Sequence, residues 1–149
     1  MIVKYPSLET RWIRPLFKDV RQPLVVFNET PEYGGAYHKP HPGEAFIDGR
    51  FIPCDTGIIE ISPASNGEPS EVGSTIAHEW RHHLQRTYFA WEYDGIGWNV
   101  PEAERLGYEK SIRRYFRESR SEADALRFQL RASPSPLAVY FDELARRTG

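Results

Sequence analysis

The chain holds a single cysteine, Cys54, and a single methionine in its 149 residues. One cysteine closes no internal disulfide, so packing must hold the fold, and the sparse thiol usage fits a reducing compartment. Long hydrophobic runs are also missing. The longest unbroken aliphatic or aromatic stretch is the five residues Leu137 to Phe141, far short of the roughly 20 residues that cross a bilayer, and no membrane partner is expected. The first residues, Met-Ile-Val-Lys-Tyr-Pro, have no basic segment followed by an apolar one, so they do not read as a secretion signal and the expected address is cytoplasmic. Basic charge is not in excess either. Lys and Arg total 19 against 21 Asp and Glu, a net charge of -2, which gives no reason to expect a nucleic-acid partner. Repeats and low-complexity tracts are absent. What remains is an ordinary globular composition, 40% hydrophobic and 13% aromatic, with a length that predicts one domain over residues 1–149.

Periodicity changes once, near residue 70. Before it, Leu24 to Phe27, Ala45 to Ile47, Arg50 to Ile52 and Ile58 to Ile61 have strand length and β-branched or aromatic content. Asp48-Gly49 suits a two-residue hairpin turn, whose central positions both need positive φ. Upstream, Leu8, Trp12, Leu16, Phe17 and Val20 approach helical spacing, interrupted by Pro15. After residue 70, Val72, Ile76, Trp80, Leu84 and Tyr88 form one row of a long helix. Trp91 to Val100 reads as an aromatic loop. Pro101 is placed to begin another helix containing Leu106, Tyr108, Ile112, Tyr115 and Phe116. A third helix starts near Ser119 to Ser121, and a last one from Leu137 presents Leu137, Tyr140, Phe141 and Leu144. Strands first and helices afterwards predict an α+β domain, with a small antiparallel or mixed sheet at the N-terminal end.

The long helix carries His78-Glu79-Trp80-Arg81-His82, an HExxH string. Histidines four apart lie one turn apart on one face, so both imidazoles can reach a single ion, a geometry that fits zinc at one ion per chain. Glu79 sits about 100° around the axis, where it can lean over a metal-bound water as general base. The bare string arises by chance in roughly one or two shuffled sequences of this composition per hundred. Its weight comes from context: Val72, Ile76, Ala77, Trp80, Leu84 and Tyr88 fill one side of the helix, and the two histidines face the other. His83, at the edge of the apolar arc, reads as a packing or hydrogen-bonding residue. Catalytic zinc needs a third protein ligand. Glu92, Asp94, Glu102, Glu104, Glu109, Glu118, Glu122 and Asp124 follow the motif, and spacing does not choose among them. Cys54 is an upstream option, giving a Cys-His-His site.

HExxH followed some tens of residues later by Glu122-Ala123-Asp124-Ala125-Leu126-Arg127-Phe128-Gln129 resembles the gluzincin side of the zincin metallopeptidases, with the nearest likeness to ImmA/IrrE-type and minigluzincin proteins. In those families the downstream helix has a pattern close to E-x-E-A-N-x-F-A. The resemblance covers residues 57 to 130 loosely, and only HExxH is specific. It implies Glu122 as the third zinc ligand, Asp124 as the second acidic position, Ala125 as the small residue and Phe128 as the aromatic. Glu118, one turn earlier, is the shifted alternative. Leu126 stands where the family has Asn or Asp, so the hydrogen bond expected from that position must come from elsewhere or be missing.

The resemblance implies a zinc metallopeptidase that hydrolyses peptide bonds with a zinc-activated water, Glu79 taking its proton. It also implies a peptide or protein substrate bound as an extended strand beside the strand preceding the active helix, by position Gly57 to Ser62. The rival reading keeps the fold and the zinc as a non-catalytic regulatory or interaction module. Tyr37-His38-Lys39-Pro40-His41-Pro42 reads as a solvated turn, and the arginines between 113 and 131 as helix-surface ion pairs. No tyrosine or arginine is assigned to transition-state stabilisation.

Overall fold

The computed structural model describes residues 2–3, 21–28, 34–62, 66–91 and 107–147. Within them strands precede helices, an α+β fold. The strands are β1 (Ile2–Val3), β2 (Leu24–Phe27), β3 (Gly35–His38), β4 (Glu44–Ile47), β5 (Arg50–Pro53) and β6 (Ile58–Ile61). The helices are α1 (Pro69–Thr87), α2 (Tyr108–Glu118), α3 (Arg120–Ala132) and α4 (Pro136–Arg146). A mixed sheet has the order β1-β2-β6-β3, with β2 and β6 parallel and the outer pairs antiparallel. β4 and β5 make a separate hairpin whose turn residues Asp48 and Gly49 have φ of 51° and 73°, as the Asp-Gly pair requires.

β6 is buried on both faces, which is why it reads as a nearly continuous apolar run. Ile59 and Ile61 join Val25 against Ile76, Trp80 and Leu84 of α1. Ile58, on the opposite face, joins Val26, Cys54 and the hairpin residues Ile47 and Ile52. A third cluster, Ile112, Phe116, Leu126, Ala138 and Leu144, binds α2, α3 and α4 together. α3 packs along α1, so the side of α1 turned from the sheet is covered as well.

Two expectations change at the sheet edge. Gly57 to Ser62 is not the cleft-edge strand: β6 is paired on both sides, by β2 and β3. The strand at that end of the sheet is β3, and the prolines and glycines around it hid it in the sequence. Tyr37 and His38 therefore lie on a strand rather than in a solvated turn, with the Tyr37 hydroxyl 2.8 Å from His83 Nδ1 and His38 Nε2 3.0 Å from buried Glu60. His41 alone keeps the turn character, its ring bonded to the Pro42 carbonyl. β3 approaches α1 so closely at Gly35 that a Cβ there would lie 2.7 Å from Thr75 Cγ2. Asn66 ties the same corner, donating to the carbonyls of Gly34 and Ser62 and accepting from Thr75 Oγ1.

Among the helices, α2 begins after Gly107, whose φ of 89° breaks any continuous helix from Pro101 through Tyr108. On α4 Tyr140, Phe141 and Leu144 pack into the helical core as expected, whereas Leu137 is 39% exposed and Ala138 takes the buried place beside it. The helix expected over Leu8 to Val20, the Pro101 to Leu106 segment and all of the aromatic loop except Trp91 lie outside the described residues.

Candidate metal centre

His78 and His82 project from one row of α1, their ring centroids 4.9 Å apart. Glu122 comes from the first turn of α3, which starts at the N-cap Ser119. Ser119-x-x-Glu122 is a capping-box pattern: the Ser119 hydroxyl accepts from the Glu122 N–H at 3.2 Å. The Glu122 carboxylate does not fold back to complete the box. It reaches α1 instead, with Oε2 2.8 Å from His78 Nε2 and Oε1 2.9 Å from His82 Nε2. The three side chains are only 11–12% exposed. One potential ligand atom from each lies within 4.8 Å of the others, so the structure holds a possible metal-binding triad.

The outer partners fix the two rings. Gln85 donates through its amide nitrogen to the Ser121 carbonyl and Asp124 Oδ2, both acceptors, at 2.9 Å each. Its oxygen is therefore the atom 2.9 Å from His82 Nδ1, and that ring nitrogen must donate. Gln129 acts likewise: its amide nitrogen donates to Ser74 Oγ at 2.8 Å, and its oxygen accepts from His78 Nδ1 at 2.9 Å. Both imidazoles thus carry hydrogen on Nδ1 and, when neutral, aim an Nε2 lone pair at the Glu122 oxygens. Three acceptors facing one point repel unless a cation sits among them, which protons on the rings or one metal ion can supply. The donor set of two imidazoles and a carboxylate fits such an ion.

The electrostatics agree. Burial alone would push the Glu122 carboxyl up, but the charge and hydrogen bond of His78 and the hydrogen bond and charge of His82 hold it well below the usual carboxylate range. Burial likewise works to lower His82, yet the hydrogen bond and charge of Glu122, helped by Glu79 and Gln85, raise it to about 9. Asp124, which anchors Gln85, is held down against its own burial by Arg81, whose Nε donates to Oδ2 at 2.6 Å. The Arg81 guanidinium lies between the rings of Phe89 and Phe128, 4.9 and 5.2 Å from their centroids.

Glu79, His82 and Glu122 open on a cavity of about 360 Å³, with Gly35, Ala36 and Tyr37 of β3, Lys39, Arg86 and Tyr115 among its other walls. Burial raises the Glu79 carboxyl against the opposing pull of His82 and His78. Of the sequence candidates, the structure brings His78, His82 and Glu122 together and sets Glu79 beside them. Glu118 is excluded from the cluster: half exposed, it pairs with Arg114 on its own helix. Cys54 is buried under the hairpin with its thiol on the Lys39 carbonyl. Leu126 packs in the helical core, and the hydrogen bond expected from its position is made from Gln129, one turn later. Sequence reasoning missed Gln85 and Gln129. Their signal was spacing alone, three residues after His82 and seven after Glu122.

No family model matches the chain, and neither does any curated protein or solved structure. No helix among the described residues is long and apolar enough to cross a membrane.

Proposed function

We propose that the chain is a zinc-dependent metallopeptidase of the gluzincin kind, in which His78, His82 and Glu122 hold one zinc ion and Glu79 is the general base. The observation that carries this reading is the convergence of two Nε2 atoms and a carboxylate, each ring locked from behind by a glutamine. Thiolate-free N and O donors of this number suit catalytic zinc, which keeps a coordination position open. Bound there, zinc supplies Lewis acidity and lowers the pKa of water toward 7. Glu79 lines the same cavity without belonging to the triad, so its carboxylate is available to accept a proton from water and deliver it to the departing amine. Gly35, Ala36 and Tyr37 of β3, the strand at the end of the sheet, line the same cavity as Glu79, which suits a peptide laid alongside β3 as an added strand.

The test compares the zinc-reconstituted protein with its Glu79→Gln variant on a library of blocked peptides. Both should hold one equivalent of zinc by elemental analysis, and only the parent should release new amino termini. Zinc retention with no cleavage by the parent would replace the hydrolase with the non-catalytic zinc module. Failure to retain zinc would remove both.

A further inference from the structure

The cavity beside the triad has a basic end. β3 and α1 run in the same direction: Gly35 meets Thr75, and two residues on Tyr37 reaches His83, two turns further along the helix. Lys39, which continues β3, therefore comes level with the last turn of α1, where Arg86 stands. His78, His82 and Arg86 form a four-residue row, so Arg86 lies about 6 Å beyond His82 along the axis. That is about two residues of an extended chain. Both Lys39 and Arg86 line the cavity. Lys39 is exposed, and no acidic group among the described residues pairs with its ammonium. Glu122, the acidic wall residue nearest the histidines, is committed to them.

Resting on the hydrolase reading for what lies at the other end of the cavity, we infer that Lys39 and Arg86 form a carboxylate subsite, and that the chain selects peptides bearing a carboxylate within two residues of the bond cleaved. The antiparallel pairing favoured at a sheet edge puts the N-terminal part of such a peptide at the Lys39 end. An Asp or Glu side chain on that side of the bond is the source this polarity selects. The exposed Lys39 ammonium supplies the contact to such a carboxylate, and the Arg86 guanidinium, which lines the same cavity, adds a second positive charge at that end.

Binding and cleavage are read separately. Fluorescein-labelled octapeptides with blocked ends carry Asp, or its uncharged isostere Asn, one or two residues before a central Phe-Ala pair. A second set places Asp after the pair, and a third ends in a free C-terminal carboxylate just beyond it. Affinity is measured by anisotropy on the zinc-loaded Glu79→Gln protein, which does not turn the peptides over. The Asp peptides of the first set should bind about tenfold tighter than their Asn partners, and the preference should vanish in a background of Lys39→Glu or of Lys39→Met with Arg86→Met. Preference in the second or third set, lost in the same variants, supports the subsite and reassigns the source of the carboxylate. Equal binding of Asp and Asn peptides in every set, or a preference that survives both backgrounds, overturns it. An Asp preference in binding without cleavage by the Glu79 parent would sink the hydrolase and leave the subsite standing; cleavage indifferent to charge would do the reverse.

Discussion

At the scale of single residues, Gln85 and Gln129 have the most specific consequence. Each uses one end of its amide to fix the other against an imidazole, so Leu in either place should leave His78, His82 and Glu122 present but free to turn. A loss of about 10- to 100-fold in zinc affinity is expected for each, measured by competition with a chelating dye, while Glu118→Gln should leave affinity unchanged. His83 makes a different prediction. It is wholly buried, its Nε2 donating to the Arg21 carbonyl and its Nδ1, in the neutral ring, accepting from the Tyr37 hydroxyl, and burial lowers it to about 4. The unfolded chain takes up this proton below pH 6.5 and the folded chain does not, so stability is full above 6.5 and falls as the pH drops toward 4, by about 3 kcal/mol in all. His82 has the opposite sign in zinc-stripped protein: raised to about 9, its pairing with Glu122 stabilises fully below 6.5 and is lost as the pH rises through 9. In urea titrations of stripped protein, His83→Phe should therefore flatten the loss of stability between pH 6.5 and 4. The string His78-Glu79-Trp80-Arg81-His82 made this centre visible in the sequence because helical periodicity alone puts its two rings on one face. Its glutamines were invisible, since a Gln in a helix looks like any solvated residue until the helix opposite is in place.

At the scale of elements, the placement of Glu122 depends on how α3 starts. Ser119→Ala removes the hydroxyl that accepts the Glu122 N–H, and should cost about 1 kcal/mol of stability in denaturant titration and weaken zinc binding, because the same turn carries the ligand. β3 depends on a missing side chain. Gly35→Val drives a branched Cβ into Thr75 and should cost about 1–3 kcal/mol as β3 and α1 move apart, with peptide affinity falling more than zinc affinity, since the strand lines the cavity and supplies no ligand. β2, β4, β5 and β6 were legible because each is a short β-branched or aromatic run between turn residues, and α1 because its apolar row is long. β3 was not: only Ala36 and Tyr37 are apolar in Gly35–His38, and Pro40 and Pro42 dominate the local pattern. The start of α2 depended on the backbone of Gly107, a feature that a helical pattern running past it conceals.

Across the whole molecule, the sheet and α3 meet along α1, which contributes its apolar row to one core and its histidine row to the contact with α3, while α2 packs on α3 and α4. A metal ion in the triad would bridge α1 to α3 and belong to the folded state alone. With free zinc at about a thousand times its dissociation constant, the gain in unfolding free energy is about 4 kcal/mol, so stripping with a chelator should lower the melting temperature and readdition restore it; His78→Ala should show neither response. The α+β order of segments was legible from the single change of periodicity. The packing of α3 on α1 was not, since it unites residues 44 positions apart through polar groups whose partners no local pattern names.

That separation sets an order on biosynthesis. A nascent chain emerging from the ribosome presents both imidazoles well before the carboxylate exists, and well before Gln129 arrives to steady the first ring. Two histidines on an undocked helix make a weak and indiscriminate chelator, so tight metal capture must wait until α3 has been synthesised and seated.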